Sequence, residues 1–223
     1  NGTKRFVANG AAADAVIVVA RNEDGAPCLV LVDCNQKGVT RKARRTVDSH
    51  LPADFTFEDV ALDGDALLDG AEDTEGALKH ILDVGRACVA AESLGVAEQA
   101  FDVTIDYIKE REQFGVPIAS FQGLQHRAAH LLSEIEMARS IVMKALRTLD
   151  ETPSQAPIWA AAAKAKATAV SRLATSEGIQ MFGGVGMTDE YDIGLYYKRA
   201  QAAGEFLGDD AWGAGQVAKL SGY

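Results

Sequence analysis

The chain has 223 residues, of which 48% are hydrophobic and 24% charged, and its formal net charge is −10. These are globular values, which exclude disordered and collagen-like classes, and the negative charge disfavours nucleic acid and anionic membranes as partners. Three cysteines without a CxxC pattern favour a reducing, cytoplasmic setting, four scattered histidines offer no zinc spacing, and no apolar run is long enough to span a bilayer. The opening Asn1-Gly2-Thr3-Lys4 lacks an initiator Met, so we expect the sequence to begin inside a larger protein.

The first part of the chain is predicted to be antiparallel sheet. Short β-rich runs at Ala15–Ala20 and Cys28–Val32 flank the turn sequence Asn22–Gly25, which predicts a hairpin. Residues 56–60 suggest a further strand. Because about 70 residues are too few to close a sandwich, residues 1–70 are predicted to be a partial β-domain.

The rest of the chain, residues 71–223, has helical periodicity and is predicted to form an up-down four-helix bundle. The fold class is therefore α+β and mainly α. The predicted helices are, in chain order, 72–112, a helix capped by Ser120, 157–182 ending at Gly183-Gly184, and 192–207.

Four stretches carry a resemblance to a known family. They read NGTKRFVANG, EREQFG followed by FQ, QMFGGVG, and YYKRA, and they stand at residues 1–10, 110–115 with 121–122, 180–186 and 196–200. Together, in this order, they resemble the acyl-CoA dehydrogenase family along the whole chain.

The resemblance implies the second half of a middle β-domain and a C-terminal four-helix bundle, without the family's N-terminal helical domain. It implies α,β-dehydrogenation of an acyl-CoA thioester, as in β-oxidation, in which a carboxylate removes the α-proton while FAD takes a hydride from the β-carbon. The implied partners are an electron-transfer flavoprotein-type acceptor and further subunits, in a homodimer, a homotetramer or an α2β2 heterotetramer.

The resemblance assigns three residues near the end of the first helix to the FAD of a neighbouring subunit. Arg111 suits a pyrophosphate, Phe114 offers its ring to the flavin cofactor, and Gln113 stands between them. The alternative is that Arg111 pairs with a neighbouring glutamate on a solvated helix end and that Phe114 is a core residue.

A second group, Gln180, Gly183 and Gly184, is assigned to the adenosine part of the same FAD, because glycines let the backbone approach a ligand. The alternative is an ordinary glycine helix cap. Gln122 matches a glutamine that faces FAD, or is simply an exposed polar residue of the first helical turn.

Three further assignments are weaker matches. Phe6 and Ala8 stand where the family usually has Trp and Thr against the flavin, and the alternative is a plain strand. Arg86 matches an arginine near the substrate thioester, and the alternative is an exposed helix charge.

The catalytic base departs from the family pattern. Gly208 and Gly85 occupy both positions where family members carry the base, and glycine cannot take a proton. Asp209 is the candidate for a displaced base, with Glu205 one turn earlier, and the alternative for Asp209 is a solvated acidic helix end. The double glycine also favours a catalytically silent subunit of a heteromeric enzyme, and a fragment retaining only the assembly bundle is a third reading.

Overall fold

A computed structural model describes residues 1–68 and 73–223 of the protein. The chain divides into two compact units, Asn1–Lys79 and His80–Tyr223. The predicted domain boundary after residue 70 lies outside the described residues. The regular structure of the first unit is mainly antiparallel strand and that of the second mainly helix, so the predicted fold class is confirmed.

The first unit contains a three-stranded and a two-stranded antiparallel sheet, with strand orders β1-β5-β4 and β2-β3. The strands are β1 Gly2–Val7, β2 Ala15–Arg21, β3 Pro27–Asp33, β4 Val39–Ala43 and β5 Ala53–Phe57. The predicted hairpin is confirmed: β2 and β3 pair from Ala15↔Asp33 to Arg21↔Pro27. The Asn22 side chain accepts the Ala26 N–H at 2.9 Å and closes the turn.

The core of the first unit is formed by the alternating inward side chains of these strands, as the period of two requires. Its buried members are Val32, Ala53, Phe55 and Phe57 of the strands, together with Cys34, which directly follows β3.

The second unit is built on helices that agree closely with the predicted ones. The helices are α1 Thr74–Glu110, α2 Gln122–Glu151, α3 Ala156–Phe182, α4 Ile193–Glu205 and α5 Asp210–Leu220. Between α1 and α2 a small hairpin pairs β6 Glu112–Gln113 with β7 Val116–Pro117. No helix in the described part of the chain combines the length and apolar character needed to cross a membrane.

The prediction that Ser120 caps α2 is wrong. Ser120 ends a single-turn helix, its hydroxyl donates to the Pro117 carbonyl at 2.8 Å, and Phe121 occupies the cap position. The hydroxyl therefore satisfies the preceding turn instead of an α2 amide.

The helix α5 was not predicted. The chain leaves α4 after Glu205, and Asp209 starts α5 as its N-cap, with its carboxylate accepting the Trp212 N–H at 2.7 Å. Asp209-Asp210 therefore lies at the start of a helix, not at the end of one, which is where an acidic side chain complements the helix dipole.

Small side chains let the helices of the second unit pack closely. A Cβ on Gly213 of α5 would come within 2.9 Å of the Ala161 carbonyl oxygen of α3, so this contact requires glycine. The buried members of the bundle core, mostly alanines, are Ala87, Ala90, Leu94, Ala97, Leu131, Ile135, Ala138, Val142, Ala145, Ala160, Ala163, Ala167, Val170 and Ala174.

Candidate cofactor cavity and base region

A cavity of about 810 Å³ lies where the end of α1, the β6–β7 hairpin and the end of α3 meet. It brings together four of the residues predicted for the cofactor, Arg111, Gln113, Gly183 and Gly184. The first two come from the chain leaving α1 and the last two from the chain leaving α3. Residues separated by about 70 positions in sequence therefore line one space.

The glycine wall of this cavity is bare backbone. Gly183 has φ 68° and ψ −144°, a conformation that is essentially restricted to glycine. A Cβ placed on Gly183 or Gly184 would meet no atom within 4 Å, so both residues border open space. The Gly183 N–H bonds the Gln180 carbonyl, so the helix-cap reading and the cavity-wall reading hold together.

Aromatic side chains form the floor of the cavity. The Tyr107 ring stacks on Phe182 with centroids 4.1 Å apart, and Tyr191 meets both rings edge-on. The Tyr107 hydroxyl donates to the Phe182 carbonyl at 3.3 Å and so fixes the residue that precedes Gly183. Sequence reasoning missed this cluster, although Tyr107 stands one helical turn before Arg111 and therefore on the same face of α1.

Phe114 does not line the cavity; it lies at the tip of the β6–β7 hairpin. Phe114 and Gly115 both have positive φ, 56° and 80°, which makes a two-residue turn of the I′ type. The Phe114 side chain is 93% exposed and meets Phe121 edge-on at 6.1 Å. The reading of Phe114 as a core residue is therefore wrong.

The other predicted cofactor residues lie elsewhere. Gln180 is exposed on the last turn of α3, and Gln122 is exposed at the first residue of α2. Phe6 and Ala8 belong to the first unit, where Phe6 sits in a β-bulge with φ 50° and its side chain is 62% exposed.

Arg86 is held by three contacts within the chain. Its guanidinium donates to Asp83 at 2.9 Å and to the Leu207 carbonyl at 3.1 Å, and lies 4.3 Å from the Trp212 ring centroid. The side chain is 15% exposed, so the reading of Arg86 as an exposed helix charge is wrong. Its predicted role at the substrate thioester stays a prediction.

Both glycines that the resemblance places at the positions of the base are closely packed. A Cβ on Gly208, which has φ 107°, would come within 2.4 Å of the Trp212 ring. A Cβ on Gly85 would come within 2.7 Å of the Leu207 side chain. Neither position has room for a longer side chain without movement of its neighbour.

The carboxylates around these glycines already have partners. Arg172 of α3 donates to Glu205 at 2.6 Å and to Asp210 at 3.1 Å. Asp83 pairs with Arg86, and Asp209 caps α5. Each of these carboxylates is therefore engaged in a hydrogen bond within the chain.

Comparisons with known proteins agree with this architecture. Residues 75–221 match the family described as acyl-CoA dehydrogenase, C-terminal domain. The chain is 38% identical over 143 residues to acyl-CoA dehydrogenase IpdE2 of Mycolicibacterium smegmatis, covering 64% of this chain and 44% of that protein. It is 33% identical over 211 residues to the short-chain specific acyl-CoA dehydrogenase of Megasphaera elsdenii, covering 90% of this chain and 54% of that protein.

Solved structures share the fold over almost the whole chain. Butyryl-CoA dehydrogenase from Megasphaera elsdenii superposes with a TM-score of 0.91 and 28% identity, over 99% of this chain and 59% of that one. A chain from the structural study of the electron transferring flavoprotein of Acidaminococcus fermentans superposes with a TM-score of 0.93 and 30% identity. The match covers 99% of this chain and 60% of that one. A chain of the ChsE4-ChsE5 complex from Mycobacterium tuberculosis superposes with a TM-score of 0.85 and 26% identity. The match covers 99% of this chain and 58% of that one.

The chain thus spans about half the length of the curated relatives it matches, 44% and 54% of the two named above. The family match covers most of the helical unit, and the identity with the Megasphaera elsdenii relative extends over 90% of the chain. The chain belongs to the acyl-CoA dehydrogenase family.

Proposed function

We propose that this chain works in FAD-dependent α,β-dehydrogenation of an acyl-CoA thioester, and that its helical unit holds part of the FAD. The observation that carries the proposal is the cavity in which Arg111 and Gln113 face the bare backbone of Gly183 and Gly184. Family membership supplies the reaction class, and the cavity supplies residues suited to a dinucleotide.

The residues of the cavity fit the charged half of FAD. Arg111 presents a guanidinium, which binds pyrophosphate oxygens in pairs. Gly183 and Gly184 leave room for a ligand against the backbone, where any larger residue would fill it. The volume of about 810 Å³ lies within the range of cofactor pockets.

The chain's own contribution is binding and orientation. When bound, FAD supplies the hydride acceptor of the reaction. In the proposal Arg111 neutralises phosphate charge, the glycine wall contacts the adenosine part, and Phe114 covers an apolar part of the cofactor from its exposed hairpin tip.

The test is FAD affinity, measured by flavin fluorescence or calorimetry on the purified protein. Arg111→Ala should weaken binding by roughly ten- to a hundredfold, since a hydrogen bond to a charged group is worth about 1.5–3 kcal/mol. Arg147→Ala is the matched control, because Arg147 is an exposed cation on α2 that does not line the cavity. Equal affinity in the parent and Arg111→Ala would remove Arg111 from the cofactor site.

A second candidate function is that of a catalytically silent subunit in a heteromeric enzyme. The packed glycines Gly85 and Gly208, together with the engaged carboxylates of Glu205 and Asp209, favour it. A positioned general base contributes about 10²–10⁴-fold to such a reaction, so we expect very low activity from this chain without a partner.

Dye reduction with a panel of acyl-CoAs separates the two functions. Turnover abolished by Asp209→Asn, with FAD still bound, would identify Asp209 as the base. Absent turnover that appears on mixing with a partner subunit supports the silent role. Robust turnover that survives Asp209→Asn combined with Glu205→Gln would contradict both.

We propose subunit partners and an electron-transfer flavoprotein-type acceptor on the strength of the comparisons. A similar chain occurs in the ChsE4-ChsE5 complex, and another in the study of an electron transferring flavoprotein. Phe114, 93% exposed at its hairpin tip, suits burial against another subunit. Light scattering at micromolar concentration tests this: we expect a dimer or tetramer, and a monomer would count against it.

A further inference from the structure

Lys164 of α3 is a lysine whose side chain is completely enclosed, with 0% of its surface exposed. Its ammonium uses all three donors within the protein. It donates to the Thr168 hydroxyl at 3.0 Å, the Gly204 carbonyl at 2.9 Å and the Gly208 carbonyl at 2.8 Å. Full enclosure of a lysine is rare, because removing its charge from water is costly.

One carbonyl lies just before the α4–α5 linker, which we define as residues 206–209, and the other lies within it. Gly204 lies in the last turn of α4, and Gly208 immediately precedes the cap of α5. The linker backbone is unusual, with Leu207 at φ 61° and Gly208 at φ 107°. From the other side Arg86 of α1 donates to the Leu207 carbonyl at 3.1 Å. The linker is thus held by one cation from α3 and one from α1.

We propose that Lys164 is a positioning residue for the base region of the dehydrogenase: by binding the backbone just before and within the α4–α5 linker it fixes Gly208 and Asp209, and its proton sets how readily the linker opens. This proposal rests on the proposed function in one respect: Gly208, within the linker, is the residue that the resemblance places at the position of the catalytic base. The positioning of the linker itself rests only on the hydrogen bonds above.

The electrostatics give the direction of the proton effect. Burial, and then the nearby Arg172 of α3, lower the pKa of Lys164 to about 8 from its ordinary 10.5, while Glu205, Asp209 and Asp210 act in the opposite direction. Linker opening exposes the amine to water and restores its ordinary pKa, so opening takes up a proton. The closed linker is therefore favoured increasingly as the pH rises from about 8 towards 10.5.

Two amides of α5 report on the linker. The Trp212 N–H donates to the Asp209 carboxylate at 2.7 Å, and the Gly213 N–H donates to the Asp209 carbonyl at 2.9 Å. Release of Asp209 exposes both to solvent. As long as the linker closes faster than a freed amide exchanges, their hydrogen exchange divided by the intrinsic rate gives the opening constant at each pH.

The experiment measures this exchange by NMR in the flavin-free protein between about pH 7 and 10. We expect the opening constant in the parent to fall by roughly fiftyfold over that range, as the lowered pKa requires. In Lys164→Met the opening constant should not depend on pH. Lys166→Met is the matched control, since Lys166 lies two residues away on α3, 29% exposed and paired with Glu134, and it should keep the parent's profile.

Lys164→Gln serves if Lys164→Met does not fold, because the amide keeps two donors but does not titrate. A flat profile in the parent, or an unchanged profile in the Lys164 variant, would overturn the proposal. Both are read without FAD or substrate. Failure here therefore leaves the cofactor assignment intact, and loss of the cofactor assignment leaves these profiles unaffected.

Discussion

The guanidinium of Arg86 lies 4.3 Å from the ring centroid of Trp212 and joins the first helix of the second unit to its last. The same guanidinium binds Asp83, whose side chain is 9% exposed. Arg86 therefore holds a buried carboxylate, an aromatic ring and the α4–α5 linker at one point of the fold. Arg86 therefore stabilises the fold, independently of any role in substrate binding.

Replacing Arg86 should therefore destabilise the protein. We expect Arg86→Ala to lower the free energy of unfolding by about 3 kcal/mol, because it leaves the buried Asp83 unpaired and removes the contact with Trp212. Urea unfolding measures this. The exposed pair of Lys79 with Glu75, 70% and 68% exposed, supplies the control: Lys79→Ala should leave the free energy of unfolding nearly unchanged. A comparable small effect for Arg86→Ala would contradict the structural role.

Restoring a carboxylate at Gly208 should not restore a base. Any side chain there meets the Trp212 ring and a backbone of φ 107°, so Gly208→Ala should cost about 2 kcal/mol or more, and Gly208→Glu at least as much. Gly184→Ala is the control, since its Cβ meets no atom within 4 Å, and its stability should be nearly unchanged. A stable and active Gly208→Glu protein would show that the linker adapts.

Replacing Phe114 at the exposed hairpin tip should stabilise the fold but weaken cofactor binding. Phe114 carries a bulky side chain at φ 56° before Gly115, whereas Asn-Gly is the preferred sequence for this turn. Phe114→Asn should raise the free energy of unfolding by about 0.5–1 kcal/mol and weaken FAD binding. Thermal unfolding and flavin titration measure the two effects. Unchanged FAD affinity would leave Phe114 without a role at the cofactor.

The hydrogen bond that holds the bulge at Phe6 should be lost at acid pH. Asp54 accepts hydrogen bonds from Arg44 and from the Phe6 N–H at 3.1 Å, and these, in that order, hold the pKa of Asp54 below its ordinary 3.8. A lowered carboxyl pKa stabilises the fold above the unfolded pKa, and this contribution is lost as the pH falls through the folded pKa.

The Phe6 amide resonance should therefore titrate with that lowered pKa, followed by NMR. In Asp54→Asn the acid transition should vanish, and a neighbouring Glu58→Gln should leave it in place. A transition that persists in Asp54→Asn would assign the pH dependence to another carboxyl.

Local pattern predicted much of the fold. The Asn22–Gly25 turn specified the β2–β3 hairpin because its chemistry is local, and the end of α3 followed from the glycines at 183 and 184. Ser120 does not cap α2 because its hydroxyl donates to a nearby backbone carbonyl instead. The helix α5 was not predicted because the sequence Asp209-Asp210 fits the end of the preceding helix as well as the start of a new one.

The candidate site was predictable only in part. Arg111 and Gly183 line one cavity, but their meeting depends on helix packing that no local pattern contains, and the resemblance alone joined them. Nothing in the sequence pattern indicated that Lys164 is buried. Within an alanine-rich helix, the sequence does not distinguish the enclosed Lys164 from the partly exposed Lys166, because burial is decided by the helices that pack against them.

The enclosure of Lys164 also determines how the protein responds to chemical labelling. No reagent in solution reaches the Lys164 amine while the α4–α5 linker is closed, because the side chain is fully enclosed. An amine-reactive ester should therefore label the exposed lysines at once and Lys164 only in molecules that have opened. The slow growth of an adduct on the peptide that contains Lys164, followed by mass spectrometry, then measures how often the linker opens in the population.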